Sequence, residues 1–273
     1  MNQLYKIYAY LFARPFFQRL HLHLLRFSLS GMGILNFYDN RVSGEKYFIE
    51  QVLGRLISKD PVFFDVGANY GNYIDFLSQT YPNAVIHAFE PHPKNFLQLS
   101  KRKYAADVKF NKLAIGEGRE TMKLYDYEES DGSTHASLYK GVIEELHQQS
   151  AVSAEVQVEF LDNYCSREGV SIVDLLKIDV EGHELRVLKG TKNLIRKGSV
   201  KVIQFEFNEM NVESKAFMKD FFKLLTDYSF YRLLPSSLLN LDKIRYRTIT
   251  HEVFAFQNIV AIHKSIDSNL KRK

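Results

Sequence analysis

An acid, Asp65, stands two residues before a glycine turn built on Gly67 and Gly71, directly after the apolar run Val62-Phe63-Phe64. Such a run suits a strand buried on both faces. The residues after Gly71 follow a helical apolar pattern. Strand, glycine turn and helix form a nucleoside-binding corner: glycines let the backbone approach a ligand, and a helix N-terminus offers unpaired N–H groups. A dinucleotide site would show GxGxxG. Here Ala68, Asn69 and Tyr70 separate the glycines, giving GxxxG. That spacing fits a ligand with an adenosine and an amino-acid tail but no phosphate, such as S-adenosylmethionine. Asp65 is then placed to meet the tail ammonium. An ordinary turn with a solvated Asp has the same local pattern; the motifs that follow at fitting distances favour the ligand.

Glu90 closes the next apolar run, 25 positions beyond Asp65. An acid there can accept hydrogen bonds from both ribose hydroxyls, a feature that NAD sites share. Pro91, Asn95 and Ala114 fall near the same edge, and Asn72 and Tyr73 open the first helix. The stretch LLKIDVEGHE, Leu175 to Glu184, carries Asp179, Glu181, His183 and Glu184 to the end of a buried strand. In an open α/β sheet, ligands sit outside strand carboxyl ends where the strand order reverses. If this strand neighbours the first, Asp179 faces the cofactor corner. Glu181 and Glu184 also suit the first turn of a helix, and for Glu184 that reading is preferred.

Methyl transfer from a sulfonium is an in-line displacement, so the protein must align the acceptor and remove its proton. His183, with an unperturbed pKa near ~6.5, suits an alcohol acceptor. Asp179 and Glu206, the latter at the end of a later strand, are its rivals. Asp179, Glu181 and Glu206 are also of the type that holds a divalent cation. No spacing requires one, and no metal is expected.

DVGANYGNY, FEPHPKNF, NKLAIGEG and LLKIDVEGHELRVLKG together resemble the FkbM family of S-adenosylmethionine-dependent methyltransferases, over roughly residues 62–207. The resemblance implies a class I methyltransferase fold: a Rossmann-like α/β, seven-stranded, mostly parallel sheet whose last hairpin makes one strand antiparallel. It implies O-methylation, often of sugar or polyketide hydroxyls. It places Asp65, Gly67, Asn69, Gly71, Asn72 and Glu90 in the cofactor site, with Asp179 and Glu181 at its floor. Ala68, Tyr73, Pro91, Asn95 and Ala114 complete the expected cofactor set. The common methyltransferase motif has glycine where Asn69 stands; the family accepts Asn. The base does not carry over.

The elements that must hold these residues alternate. Strands are expected at 62–65, 84–89, 108–114, 172–179 and 200–207, with helices to about Thr80, over 93–104, 184–195 and 214–228. This alternation means right-handed crossovers and a parallel sheet. Extra strands are expected at 120–125 and 156–160, followed by a short helix at 161–168, and final ones at 230–234 and 253–262. Residues 128–154, around Asp131-Gly132-Ser133, read as a long polar loop that covers the substrate, with a short helix near 142–147. A helix over 45–57 ends at Lys59-Asp60-Pro61.

The 273 residues suit one domain with extensions: a basic, aromatic segment over 1–45, the methyltransferase domain over 46–263, and a basic tail over 264–273. Residues 1–30 carry Lys6, Arg14, Arg19 and Arg26 and no acid. The total charge is +4, of which the two ends hold +4 and +3, leaving −3 on residues 31–263. A nucleic-acid footprint would need a broad basic face, so nucleic acid is not expected. A single cysteine, Cys165, cannot form an intrachain disulfide and reads as a small buried hydrophobe in a reducing, cytoplasmic setting. No segment is long enough to span a bilayer. The basic, apolar N-terminal helices suit either a membrane surface or packing against the domain or a second subunit.

The expected function is S-adenosylmethionine-dependent methyl transfer to a hydroxyl of a sugar, glycan or glycolipid. The alternatives are an NAD(P)-linked oxidoreductase, which the glycine spacing opposes, and a non-catalytic, membrane-associated binding module on the same fold.

Overall fold

The computed structural model describes residues 2–130 and 132–271. Asp131 of the long loop, and Arg272 and Lys273 of the basic tail, lie outside the described residues. The strands, in chain order, are β1 (Val62–Val66), β2 (Val85–Phe89), β3 (Asp107–Asn111), β4 (Ala114–Ile115), β5 (Glu120–Tyr127), β6 (Ala151–Glu159), β7 (Val173–Ile178), β8 (Val200–Phe207), β9 (Tyr228–Leu234), β10 (Ser237–Asn240) and β11 (Gln257–His263).

Eight of them form one sheet in the order β10-β9-β11-β8-β7-β1-β2-β3. Strands β8, β7, β1, β2 and β3 are mutually parallel, and β11 runs antiparallel to both β8 and β9. This is the expected class I topology, and it places the order reversal between β1 and β7. The sheet has eight strands rather than seven, because Ser237–Asn240 folds back on β9 as an edge hairpin. The expected third strand also splits. The Asn111 side chain donates to the Ala88 and Lys109 carbonyls at the end of β3. Ala114–Ile115 then leaves the main sheet and joins a three-stranded sheet, β4-β6-β5.

Apolar side chains alternate across the main sheet into two cores. Phe63, Ile86, Leu175, Val202 and Val260 face one side, with helices 72–80 and 93–99 packed over them. Phe64, Phe89, Leu176, Ile203 and Ala261 face the other, under helices 161–168, 184–189 and 218–224. Cys165 is buried in the second core, and burial pushes its thiol up to about 12. The expected helix 184–195 is two helices. It breaks at Gly190, where a Cβ would lie 1.9 Å from the Gly116 carbonyl oxygen. The expected helix 214–228 shrinks to Met218–Leu224, after Lys215 turns the chain at a φ of 55°.

The N-terminal segment forms two helices, α1 (Asn2–Phe12) and α2 (Gln18–Gly31). In the turn between them Phe17 packs on Phe12 of α1, the rings 5.2 Å apart, and Tyr8 Oη of α1 lies 3.2 Å from His21 Nε2 of α2. No residue of α2 is buried. Among the described residues, no helix is long and apolar enough to cross a membrane.

Candidate functional site

A cavity of about 350 Å³ opens at the carboxyl ends of β1, β2, β7 and β8. Parallel pairing sets Asp65 of β1 opposite Lys177 of β7 and Ala88 of β2. Adjacent strands lie roughly 4.8 Å apart, so the loops that follow them converge on one point. Gly67 shows how closely. A Cβ there would fall 1.7 Å from the Asp179 carbonyl oxygen, so this glycine serves the meeting of two loops rather than the approach of a ligand.

The residues expected around the cofactor lie together, with one exception. Asp65, Gly67, Ala68, Asn69, Asn72, Tyr73, Glu90, Pro91, Asn95, Ala114, Asp179 and Glu181 all line the cavity. Gly71 does not. It caps helix 72–80 at a φ of 82°, and a Cβ there would strike the Tyr104 hydroxyl. Its role is to admit that ring. Glu90 Oε2 accepts from the Asn69 amide at 2.8 Å and Oε1 from the His92 amide at 2.7 Å. Each oxygen keeps a further lone pair for a ligand hydroxyl. Burial raises the Glu90 carboxyl to about 7, partly offset by those two amides.

Four buried side-chain polar atoms among the described residues have no hydrogen-bond partner. Three of them, Asp65 Oδ2, Asn95 Oδ1 and Glu181 Oε2, belong to cavity residues. Buried polar atoms are costly when unsatisfied, so such a concentration marks groups held ready for a ligand. Burial pushes Asp65 up to about 7, with Lys177 opposing and Asp179 adding to the shift.

The loop after β5 closes one wall, with Thr134, Ala136 and Leu138 on the cavity. Asp126, itself buried, accepts from the Gly132 amide at 2.6 Å and the Ser133 amide at 2.8 Å. The Ser133 carbonyl in turn accepts from the Asn69 and Asn95 side chains at 3.3 and 3.2 Å. Its far end differs from expectation: residues 151–154 belong to β6. Glu181 sits at a φ of 50°, a conformation that costs a non-glycine residue on the order of 1 kcal/mol. Ser137 Oγ of the loop donates to the Glu181 carbonyl at 2.7 Å and helps hold it there.

The opposite end of the cavity centres on Lys177, which is 3% exposed. Its Nζ lies 3.0 Å from Asp179 Oδ2 and 5.3 Å from the centre of the Tyr73 ring. Burial opposes its charge, but Asp179, Glu206, Glu45 and Asp65 more than compensate and hold it protonated. The Tyr73 hydroxyl donates to Gln204 Oε1 at 2.7 Å, and Gln204 Nε2 donates to Glu45 Oε1 at 2.9 Å. Burial raises the carboxyls of Glu45 and, more strongly, Glu206. Glu45, Asp65, Asp179 and Glu206 act on this one ammonium, and with Asn40 and Glu181 they line the cavity. The wall is acidic and suits a cationic ligand.

Two catalytic candidates, Asp179 and Glu206, thus reach the cavity. His183 does not. It is 6% exposed and its Nδ1 lies 3.2 Å from the Tyr139 hydroxyl. Its Nε2 lies where it would meet a Cβ at Gly116, and burial drops its pKa to about 4. It is not placed to act as the base. Glu184 is also structural. Its Oε1 accepts from the Gly182 amide at 3.0 Å and its Oε2 from Asn211 at 3.2 Å.

Lys177, Gln204, Asn40 and Glu45 were not expected here. Lys177 had a readable signal, because a lysine inside an apolar strand is buried and must find acids. Glu45 and Asn40 had none: the sequence reading assigns both to the N-terminal extension.

A sequence model of the Methyltransferase FkbM domain matches residues 65–232. The chain is 28% identical to methyltransferase sdnD of Sordaria araneosa over 49% of this chain and 61% of that protein. It is 28% identical to the 2-O-methyltransferase NoeI of Sinorhizobium fredii over 54% of this chain and 64% of that one. With the hexuronic acid methyltransferase AglP of Haloferax volcanii the identity is 29%, over 54% of this chain and 56% of the relative. The matched stretches span less than two thirds of each relative's length.

Proposed function

The chain belongs to the FkbM methyltransferase family, and from that premise we propose that it is an S-adenosylmethionine-dependent O-methyltransferase acting on a hydroxyl of a sugar, glycan or glycolipid. The observation that carries this reading is the acidic cavity at the order reversal, where Asp65 Oδ2 and Asn95 Oδ1 are buried without protein partners. An acid-lined wall suits a ligand bearing a sulfonium and an ammonium. Asp65 would hold the ammonium and Glu90 the ribose, with Asn95 and the apolar Leu113, Ile115 and Leu124 around the base. When bound, this cofactor supplies an electrophilic methyl group.

The protein's own work is to place the acceptor and take its proton. Glu206 is the proton acceptor in this reading. It lies at the end of β8; burial raises its affinity for a proton, and the Lys177 ammonium opposes that rise and favours the ionised form the step needs. Lys177 stays charged beside it and steadies the negative charge that develops on the acceptor oxygen. Asp179 holds Lys177 in place, and Tyr73 with Gln204 orients Glu45 at the cavity edge. The loop carrying Thr134 and Leu138 keeps water from the reacting groups. Likeness to the hexuronic acid methyltransferase AglP supports a sugar acceptor, and likeness to the 2-O-methyltransferase NoeI supports transfer to oxygen.

Calorimetric titration with S-adenosylhomocysteine tests the cofactor half; micromolar binding is expected, and none at millimolar ligand overturns it. Incubation with methyl-labelled cofactor and a panel of glycans and glycolipids tests the acceptor half. Label on a hydroxyl is expected. Binding without label on any sugar, but with transfer to a peptide or base, overturns that half alone.

A further inference from the structure

The arm formed by α1 and α2 has no use in the site just described, yet it holds more than half of the exposed large apolar side chains among the described residues. Leu4, Ile7 and Leu11 recur at helical spacing on α1, and Leu20, Leu24 and Phe27 on α2; all six are exposed, Phe27 by 75%. Between them run polar rows, notably Arg19, His23 and Arg26. Monomeric soluble proteins seldom leave large apolar patches bare. The arm is nonetheless tethered. Arg232 Nη1 donates to the Met32 carbonyl at 3.1 Å, and the Leu35 amide donates to the Phe256 carbonyl at 2.8 Å.

We propose that this helical arm docks on an anionic lipid bilayer, lying in the interface with its apolar rows inserted. Charge chooses the occupant. No acid occurs before Asp39, whereas Lys6, Arg14, Arg19 and Arg26 do, and residues 31–263 carry a net −3. Two copies paired arm to arm across a twofold axis would set four cations against four. Acidic headgroups complement those cations instead, and helices with a basic polar face and an aromatic, leucine-rich one bind in that plane. Tyr5, Tyr8 and Tyr10 are amphipathic rings suited to the headgroup level.

The exposed, stacked pair Phe37–Tyr38 continues the apolar surface along the chain towards Asn40, which lines the cavity. Docking would thus bring the cavity's rim near the lipid surface. The docking claim stands independently of the proposed methyl transfer.

Sedimentation of the full chain with vesicles decides it. Pelleting is expected with equal parts phosphatidylglycerol and phosphatidylcholine, and far less with phosphatidylcholine alone. The double variant Arg19→Glu/Arg26→Glu should lower the affinity for anionic vesicles by at least roughly tenfold. The triple variant Leu20→Glu/Leu24→Glu/Phe27→Glu should abolish pelleting and leave the thermal midpoint unchanged, since none of the three is buried. No pelleting of the parent chain overturns the proposal, as does equal pelleting of parent and variants. So does a parent dimer in solution that the triple variant dissociates while vesicle binding is absent.

Discussion

Asp65 and Glu90 reach the cavity from the ends of two neighbouring strands, 25 residues apart, and each is announced by the residues around it. Glu45, Lys177, Gln204 and Glu206 meet at the other end from stretches up to 161 residues apart, and nothing in the chain near Glu45 announces the meeting. The family match spans 65–232, so Asp65 and Glu90 fall inside it, while Asn40 and Glu45 fall outside. The first end is a local device, a turn with an acid on either side. The second is an encounter, and its charges are balanced only because the fold brings them together. Damage should therefore differ in kind at the two ends: binding should suffer at the first, and folding or turnover at the second.

The sharpest break is Lys177→Met. It leaves Glu45, Asp65, Asp179 and Glu206 without their shared ammonium, and removing one partner of a buried charge set costs about 3–5 kcal/mol. Urea unfolding measures this; a loss below about 1 kcal/mol would mean the carboxyls already cope by holding protons. Next comes Glu206→Gln, which should lower kcat by about a hundredfold or more. Affinity for S-adenosylhomocysteine should stay unchanged, and a parallel loss of binding would place Glu206 at the cofactor end instead.

Asp65→Asn should show the opposite split. Affinity for S-adenosylhomocysteine should fall on the order of tenfold, while the ligand-free protein gains up to about 1 kcal/mol, because an amide of the same shape carries no desolvated charge. A loss of stability without loss of affinity would reverse the assignment of Asp65.

The pH dependence is subtler. The folded carboxyls of Asp65 and Glu90 are raised to about 7 from 3.8 and 4.5. Their contribution to ligand-free stability is therefore complete below those lower values and is lost as pH rises through about 7. Ionisation over that same range equips them to hold an ammonium and a ribose, so cofactor affinity should climb between about pH 5 and 8 and level off above about 8. Calorimetry across that range reads it; a flat profile would separate both groups from the ligand. The smallest effect belongs to His183→Gln, whose ring lies against Tyr139 outside the cavity: kcat should change by less than about threefold.

The β1 turn was legible in the chain because strand, glycine spacing and acid lie within ten residues and obey local stereochemistry. The roles of its two glycines were not. Both have positive φ, but Gly67 makes room for the Asp179 carbonyl and Gly71 for the Tyr104 ring, partners far along the chain. His183 misled for a related reason: it follows Asp179 by four residues, and the intervening turn through Glu181 and Gly182 points it into the packing beneath the cavity. The eighth strand is not legible in the chain because an edge hairpin needs no apolar face on both sides.

By itself, then, the sequence determined the alternating α/β architecture, the family and the acid-flanked glycine turn, since each rests on periodicity or on spacing within a few turns of chain. Only the tertiary structure decided which acids share Lys177, that Glu45 joins them from outside the family match, and that the helical arm keeps its apolar rows uncovered. Those outcomes depend on distances between segments remote in the chain, and a residue's charge balance and exposure exist only once those distances are set.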